Sequence, residues 1–162
     1  MKSVIREFLI TVLLALVLFG ATNIVVRSTE VQGFSMEPNI HDGQRIIISK
    51  ASFWFSNPQR GDVVVFHSPE MDTAIIHRVV GLPGESIKIT QGELYINGEK
   101  LEESYLQGNS ISAPLKAVPE DSYFIVGDNR GAARWDIVPR DDIVGKALLS
   151  YWPMDEWGLV TD

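Results

Sequence analysis

Cysteine is absent from all 162 residues, which removes thiol nucleophiles, disulfide frameworks and thiolate zinc sites from the chemistry open to this chain. Basic residues are scarce as well: 14 Lys and Arg stand against 21 Asp and Glu, for a net charge of −7. Residues 1–27 hold Lys2, Arg6 and Arg27 against Glu7, a local +2, so the remainder of the −7 is −9 on residues 28–162. Such a surface offers no clustered cations for phosphate contacts, and nucleic acid is not an expected partner. The three histidines, His41, His67 and His77, stand without i, i+4 spacing or neighbouring ligand pairs, a pattern that points to no metal site. Sustained 3.6-residue periodicity is missing after residue 30, as are repeats and low-complexity stretches. Chemistry therefore falls to hydroxyls, imidazoles, lysines and carboxylates.

What the chain does have is one long apolar run. Residues 8–26 read FLITVLLALVLFGATNIVV without a charge, close to the roughly 20 residues a helix needs to cross the hydrocarbon core. A cleaved secretory signal would need small residues at −3 and −1. Cleavage after Ala21 or Gly20 puts Phe19 or Leu18 at −3, so a retained anchor is the favoured reading. Lys2 and Arg6 lie on one side of the run, and Arg27 on the other is soon followed by Glu30, which places the N-terminus in the cytoplasm. The expected organisation is a cytoplasmic N-terminus over 1–7, a transmembrane helix over 8–26 and an extracytoplasmic β-rich domain over 27–162, with the lipid bilayer of the cell membrane as a partner.

Past Glu30 the run gives way to short segments rich in Val, Ile, Tyr and Phe, punctuated by Gly, Pro and Asn. This is the pattern of a mostly β domain of ordinary size with one core. Strands are expected over 45–49, 62–66, 73–80, 86–90, 93–96, 100–101, 123–126 and 143–151, with coil near 102–119 and 127–141. The pair Asn97-Gly98 supplies the positive φ values of a two-residue hairpin. Ser52-Phe53-Trp54-Phe55 is an aromatic patch with two readings, a core cluster beneath a loop or a surface that dips into the lipid interface.

Three segments bear on chemistry. Gly33-Phe34-Ser35-Met36-Glu37-Pro38 places a hydroxyl a few residues beyond the apolar run. Within 73–80, strand alternation sends Ile75, His77 and Val79 to one face, and Ile76, Arg78 and Val80 to the other. Gly127-Asp128-Asn129-Arg130 follows a strand with polar turn formers. Taken in order with Arg60-Gly61-Asp62-Val63-Val64-Val65-Phe66, with His77-Arg78-Val79-Val80-Gly81-Leu82-Pro83-Gly84-Glu85, with Leu94-Tyr95-Ile96-Asn97-Gly98, and with Val144-Gly145-Lys146 and Trp152-Pro153, these pieces resemble the type I signal peptidase family over nearly the whole chain. The resemblance implies a signal-peptidase-like β catalytic domain behind an N-terminal transmembrane helix. It also implies a serine endopeptidase that needs no cofactor and removes signal peptides from exported preproteins, with the secretion translocon as a further possible partner.

By the resemblance, Ser35 matches the nucleophile, and His77 stands where bacterial members carry a lysine general base; the endoplasmic-reticulum and archaeal branch carries histidine there. A second departure is Gly131-Ala132-Ala133-Arg134-Trp135-Asp136, which is shorter than the family's stretch and has no serine. A lysine base must be brought from about 10.4 to near neutrality, about 4 kcal/mol, whereas histidine starts near 6.5. His77 as base therefore predicts an acid limb of activity at about pH 6–7. A neutral imidazole usually has a partner that fixes its tautomer, and Asp128 or Asp136 is the candidate. The Ser35 amide is the natural first oxyanion donor, within a neighbourhood of Gly33, Phe34, Met36 and Pro38. Lys146 and Lys88 lie in expected strands and are the alternative amines. Two other readings of the whole chain are an inactive homologue that binds signal peptides or a translocation partner, and a peptidase specialised for one substrate.

Overall fold

The computed structural model describes residues 2–68, 73–106 and 111–160, and within the first helix the side chains of residues 2, 3, 18 and 21–24 are outside the described set. That helix, α1, runs over Lys2–Val25. It takes in the polar start of the chain, beyond the expected 8–26, because a helix once nucleated gains a hydrogen bond for each residue added. Among the described residues, no helix is long and apolar enough to cross a membrane.

Among the described residues twelve strands follow: β1 (Val26–Glu30), β2 (Arg45–Ser49), β3 (Val63–His67), β4 (Ala74–Gly81), β5 (Ser86–Thr90), β6 (Glu93–Ile96), β7 (Glu99–Lys100), β8 (Ala113–Ala117), β9 (Ser122–Val126), β10 (Trp135–Pro139), β11 (Ile143–Trp152) and β12 (Gly158–Leu159). They form an antiparallel sheet in the order β1-β2-β11-β3-β4-β9-β10, with β12 paired to β11, and a second sheet in the order β7-β6-β5-β8. The second sheet is an insertion between β4 and β9. The fold is mostly β, as the residue pattern implies.

Four of these strands were not expected from the sequence. β8 and β10 fall in the two stretches read as coil, of which 107–110 lie outside the described residues. Each is an edge strand that carries a proline, Pro114 or Pro139, and proline is tolerated at an edge while weakening the sequence signal of a strand. β1 is an edge strand with mostly exposed residues and continues directly from α1, so it reads as the tail of the apolar run. β12 is two residues long.

Where one core was expected, the described residues form three hydrophobic clusters. β3 reads as an unbroken apolar run because both of its faces are covered. Val63 and Val65 pack with Met36, Ile46, Ile76 and Ala147, and Val64 and Phe66 pack with Phe53, Val79, Ile125 and Val138. The third cluster joins Val80, Phe124 and Val126 of the large sheet to Ile87, Ile89 and Leu94 of the small one. Gly81 stands at that junction, where a Cβ would lie 2.8 Å from both Ile87 and Phe124. Of the aromatic patch, Phe53 is buried in the second cluster as the core reading expects, while Trp54 and Phe55 are exposed, Phe55 at 96%.

Candidate active site

Ser35 is placed by the residues around it. Gly33 has φ +96°, a conformation that side chains disfavour, and its N–H donates to Asp42 Oδ1 at 2.7 Å. Met36 next to the serine is fully buried among Val63, Val65 and Ile76, so it pins the turn to the sheet. The Met36 carbonyl accepts the N–H groups of Asn39 and Ile40, each at 3.0 Å, and the Glu37–Pro38 bond is cis. Phe34 and Pro38 face outward.

The turn after β9 clamps this segment from the other side. Asn129 N–H donates to the Ser35 carbonyl at 2.9 Å and Asn129 Nδ2 to the Phe34 carbonyl at 3.0 Å. The approach depends on Gly127, where a Cβ would run into the Ser35 carbonyl oxygen and come within 2.7 Å of Ala133 Cβ and 3.1 Å of His77 Cδ2. Gly127 is thus the point where the serine segment, the imidazole and the 131–133 loop converge. Sequence reading singled out Asp128 in this turn but not Asn129, since the carbonyls that Asn129 binds lie more than 90 residues earlier in the chain.

His77 is on β4 opposite Val64 of β3, and its ring packs against Phe66 with centroids 5.9 Å apart. The alternation expected for 73–80 is realised: Val79 and Ile75 join the cluster of Val64 and Phe66, while Ile76 joins the opposite one. The imidazole is 6% exposed, and burial, which disfavours the charged form, pulls its pKa from 6.5 down to about 4. That is below the range expected from the residue type alone, because alternation tells which face a side chain takes but not how dry that face is.

Among the described residues, no hydrogen bond links either candidate aspartate to Nδ1 of the ring. Nδ1 of His77 is buried without a hydrogen-bond partner among the described residues. Both Asp128 oxygens are taken by Arg78, Nε to Oδ1 at 2.9 Å and Nη2 to Oδ2 at 2.8 Å, and Asn39 Nδ2 also donates to Oδ2 at 2.8 Å. Adjacent strand residues point to opposite faces, so a carboxylate that serves Arg78 is turned away from His77. Asp136 Oδ1 accepts the N–H of Ile137 at 2.8 Å. Phe66 and the close approach at Gly127 hold the imidazole by packing.

Ser35 and His77 line one cavity of about 660 Å³ together with Gly33, Phe34, residues 29–32 and 73–76, Ala132 and Arg134. Its walls are two stretches of extended backbone. β1 is a sheet edge, and β9 pairs with β4 only from Arg78 onward, which leaves residues 74–77 open on that side. Lys146 and Lys88 are not among the lining residues. Lys146 is bonded to Asp62, and Lys88 lies in the small sheet.

A family model described as signal peptidase, peptidase S26, matches residues 1–152. The signal peptidase I of Leptolyngbya laminosa is 37% identical over 171 residues, spanning 96% of this chain and 84% of that protein. A probable signal peptidase I-2 of Synechocystis sp. is 35% identical over 155 residues, spanning 88% of this chain and 71% of the other. Among solved structures, a signal peptidase I from Enterococcus faecalis V583 aligns with a TM-score of 0.48 and 31% identity over 56% of this chain and 97% of that one.

Proposed function

This chain belongs to the signal peptidase family, peptidase S26, and we propose that it cuts its substrates with Ser35 as nucleophile and His77 as general base. The family makes it a serine endopeptidase that removes signal peptides from preproteins. The observation that carries the residue assignment is that Ser35 and a buried, uncharged His77 share the wall of one cavity whose two long sides are open backbone edges. An extended peptide can add to such an edge through main-chain hydrogen bonds, while pockets select alternate side chains.

In this reading the Ser35 hydroxyl attacks the scissile carbonyl as its proton passes to the imidazole. The Ser35 N–H donates to the oxyanion that forms. The imidazolium then returns the proton to the departing amine, and water hydrolyses the acyl-enzyme by the same route in reverse. Among the described residues no hydrogen bond joins the two side chains, and catalytic contacts of this kind commonly tighten only around substrate.

The bilayer is the second partner in this reading, with residues 8–26 as a single anchor, the N-terminus in the cytoplasm and the β domain outside. Two features support it. The described apolar side chains of α1, from Val4 to Phe19, are exposed. The Lys50 N–H donates to the Val25 carbonyl at 2.9 Å, so the loop bearing Trp54 and Phe55 sits at the end of α1, where headgroups would be and where Trp is favoured. A preprotein would meet the cavity as it leaves the translocon.

The test is cleavage of preproteins by the detergent-solubilised full chain. Cleavage that disappears in Ser35→Ala and in His77→Ala, with the fold intact by circular dichroism, supports the pair. Undiminished cleavage in His77→Ala refutes its role as base. A panel of unrelated preproteins tells a general peptidase from one dedicated to a single substrate.

A further inference from the structure

Residues 102–106 leave the small sheet and pass behind the segments that carry Ser35 and His77, in a stretch the sequence marks only as coil. Glu103 Oε1 accepts hydrogen bonds from Arg130 Nη2 at 2.6 Å and from the Tyr105 hydroxyl at 2.7 Å. The Tyr105 ring centroid lies 4.2 Å from the Arg78 guanidinium carbon, a cation–π contact. The Tyr105 carbonyl accepts Asn39 Nδ2 at 2.9 Å.

These contacts reach all three segments of the site at once. Asn39 belongs to the turn that carries Ser35. Arg78 is the chain neighbour of His77. Arg130 follows Asn129, which holds the Phe34 and Ser35 carbonyls, and its Nε donates to the Gly127 carbonyl at 3.1 Å. The charges involved are Arg78, Asp128, Arg130 and Glu103, two of each sign, all with side chains at most 1% exposed. Removing one charge of such a set leaves its partner buried and uncompensated, and Glu103 holds its place through Oε1 alone, Oε2 being buried without a hydrogen-bond partner among the described residues. Burial, with Glu103 alongside, raises the Tyr105 hydroxyl's pKa well above its ordinary value, so it remains a donor.

We propose that Glu103 and Tyr105 are positioning residues, a latch that fixes the Ser35–His77 geometry from outside the substrate cavity. The inference rests on the reading of Ser35 and His77 as the reacting pair. Neither Glu103 nor Tyr105 lines the cavity, so loosening the latch misplaces reacting groups without removing substrate contacts. Misplacement by about 1 Å costs on the order of 100-fold in rate, and partial loosening costs less.

Steady-state cleavage of a signal-peptide substrate by the full chain in detergent tests this, using Glu103→Gln and Tyr105→Phe. Ser35→Ala serves as control, and all assays run well below each variant's unfolding midpoint. The expected result is a kcat lowered about 10-fold or more with KM within about two-fold of the unaltered chain. Tyr105→Leu, which also removes the ring over Arg78, should lose more than Tyr105→Phe. Folded variants that melt earlier yet keep the full kcat would overturn the latch, because the contacts would then be merely structural. A raised KM at constant kcat would overturn it as well. Tyr105→Phe leaves all four buried charges in place and decides the matter should Glu103→Gln fail to fold. An inactive Ser35→Ala beside unchanged kcat in both variants sinks the latch alone, whereas cleavage by Ser35→Ala sinks the reacting pair and the latch with it.

Discussion

The burial of His77 fixes both how its activity should fail in acid and how its stability should fall. The unfolded chain exposes an ordinary imidazole that titrates near 6.5, and the folded one holds it at about 4. Between those values the unfolded state binds more protons than the folded state, so stability rises with pH across the window and is lost as pH falls through it. The gap of about 2.5 pH units corresponds to about 3 kcal/mol, nearly all of it surrendered between pH 7 and pH 4. Carboxylates titrate in the same range, so the measurement is a difference: urea unfolding at pH 7 and pH 4 for the unaltered chain and for His77→Gln, which cannot titrate. The unaltered chain should lose about 3 kcal/mol more than the variant over that interval. The acid limb of kcat/KM, which reports the free enzyme, should fall near pH 4 and leave activity at pH 5.5 close to its plateau. An acid limb at 6–7, together with equal stability losses in the two proteins, would show that the imidazole is wet and refute the argument.

Three other outcomes follow from contacts at the site. Gly127→Ala drives a Cβ into the Ser35 carbonyl oxygen and should lower kcat on the order of 100-fold through displacement of the nucleophile; preprotein cleavage at the unaltered rate would show that the close approach does not matter. Asp128→Asn leaves the fully buried Arg78 without its carboxylate and should cost about 3–5 kcal/mol in urea unfolding, while a loss below about 1 kcal/mol would contradict the pairing. In vesicles containing brominated lipid, Trp54→Phe should reduce quenching of tryptophan fluorescence, and unchanged quenching would take Trp54 out of the interface.

Local chemistry made part of this fold legible. The Asn97-Gly98 turn has φ values of +53° and +90°, and Ile96 pairs with Glu99 across it, because two-residue hairpins demand positive φ and few residues give it readily. β2, β5 and β6 fall on their expected bounds because each is flanked by turn formers and carries β-branched residues. β8 and β10 were hidden for the opposite reason: Pro114 and Pro139 argue locally against a strand, and only the position at a sheet edge makes them acceptable. The site divides along the same line. Motif order pointed to Ser35 and His77, and they meet in one cavity. Asp128 as an orienter of His77 did not emerge, because the sequence offers a carboxylate but not the guanidinium that claims it. Glu103 and Tyr105 carried no signal, since apart from their bond to each other the contacts that give them meaning cross to Asn39, Arg78 and Arg130, in other segments of the chain.

In the proposed mechanism His77 serves as base where the family resemblance implies a lysine, and its surroundings bear on how well an imidazole suits that role. A lysine base needs its pKa lowered by roughly three pH units to work near neutrality. Burial already lowers the pKa of His77 from 6.5 to about 4, and the same surroundings would lower that of a lysine as well. The site thus shifts a base in the direction an amine requires, whereas an imidazole needs no such shift. Two effects then oppose each other. His77 is wholly in its basic form at neutral pH, so none of the enzyme is idle, but each imidazole is a weaker base than an unperturbed one, and proton transfer from Ser35 is correspondingly uphill. The same dryness strengthens attraction between an imidazolium and the oxyanion beside it, and that attraction exists only once both charges have formed. A base weak in the resting enzyme and supported in the tetrahedral intermediate is differential binding of the transition state. It places the weight of catalysis on the geometry that brings Ser35, His77 and the scissile carbonyl together, which is the geometry Gly127 and the 127–130 turn impose.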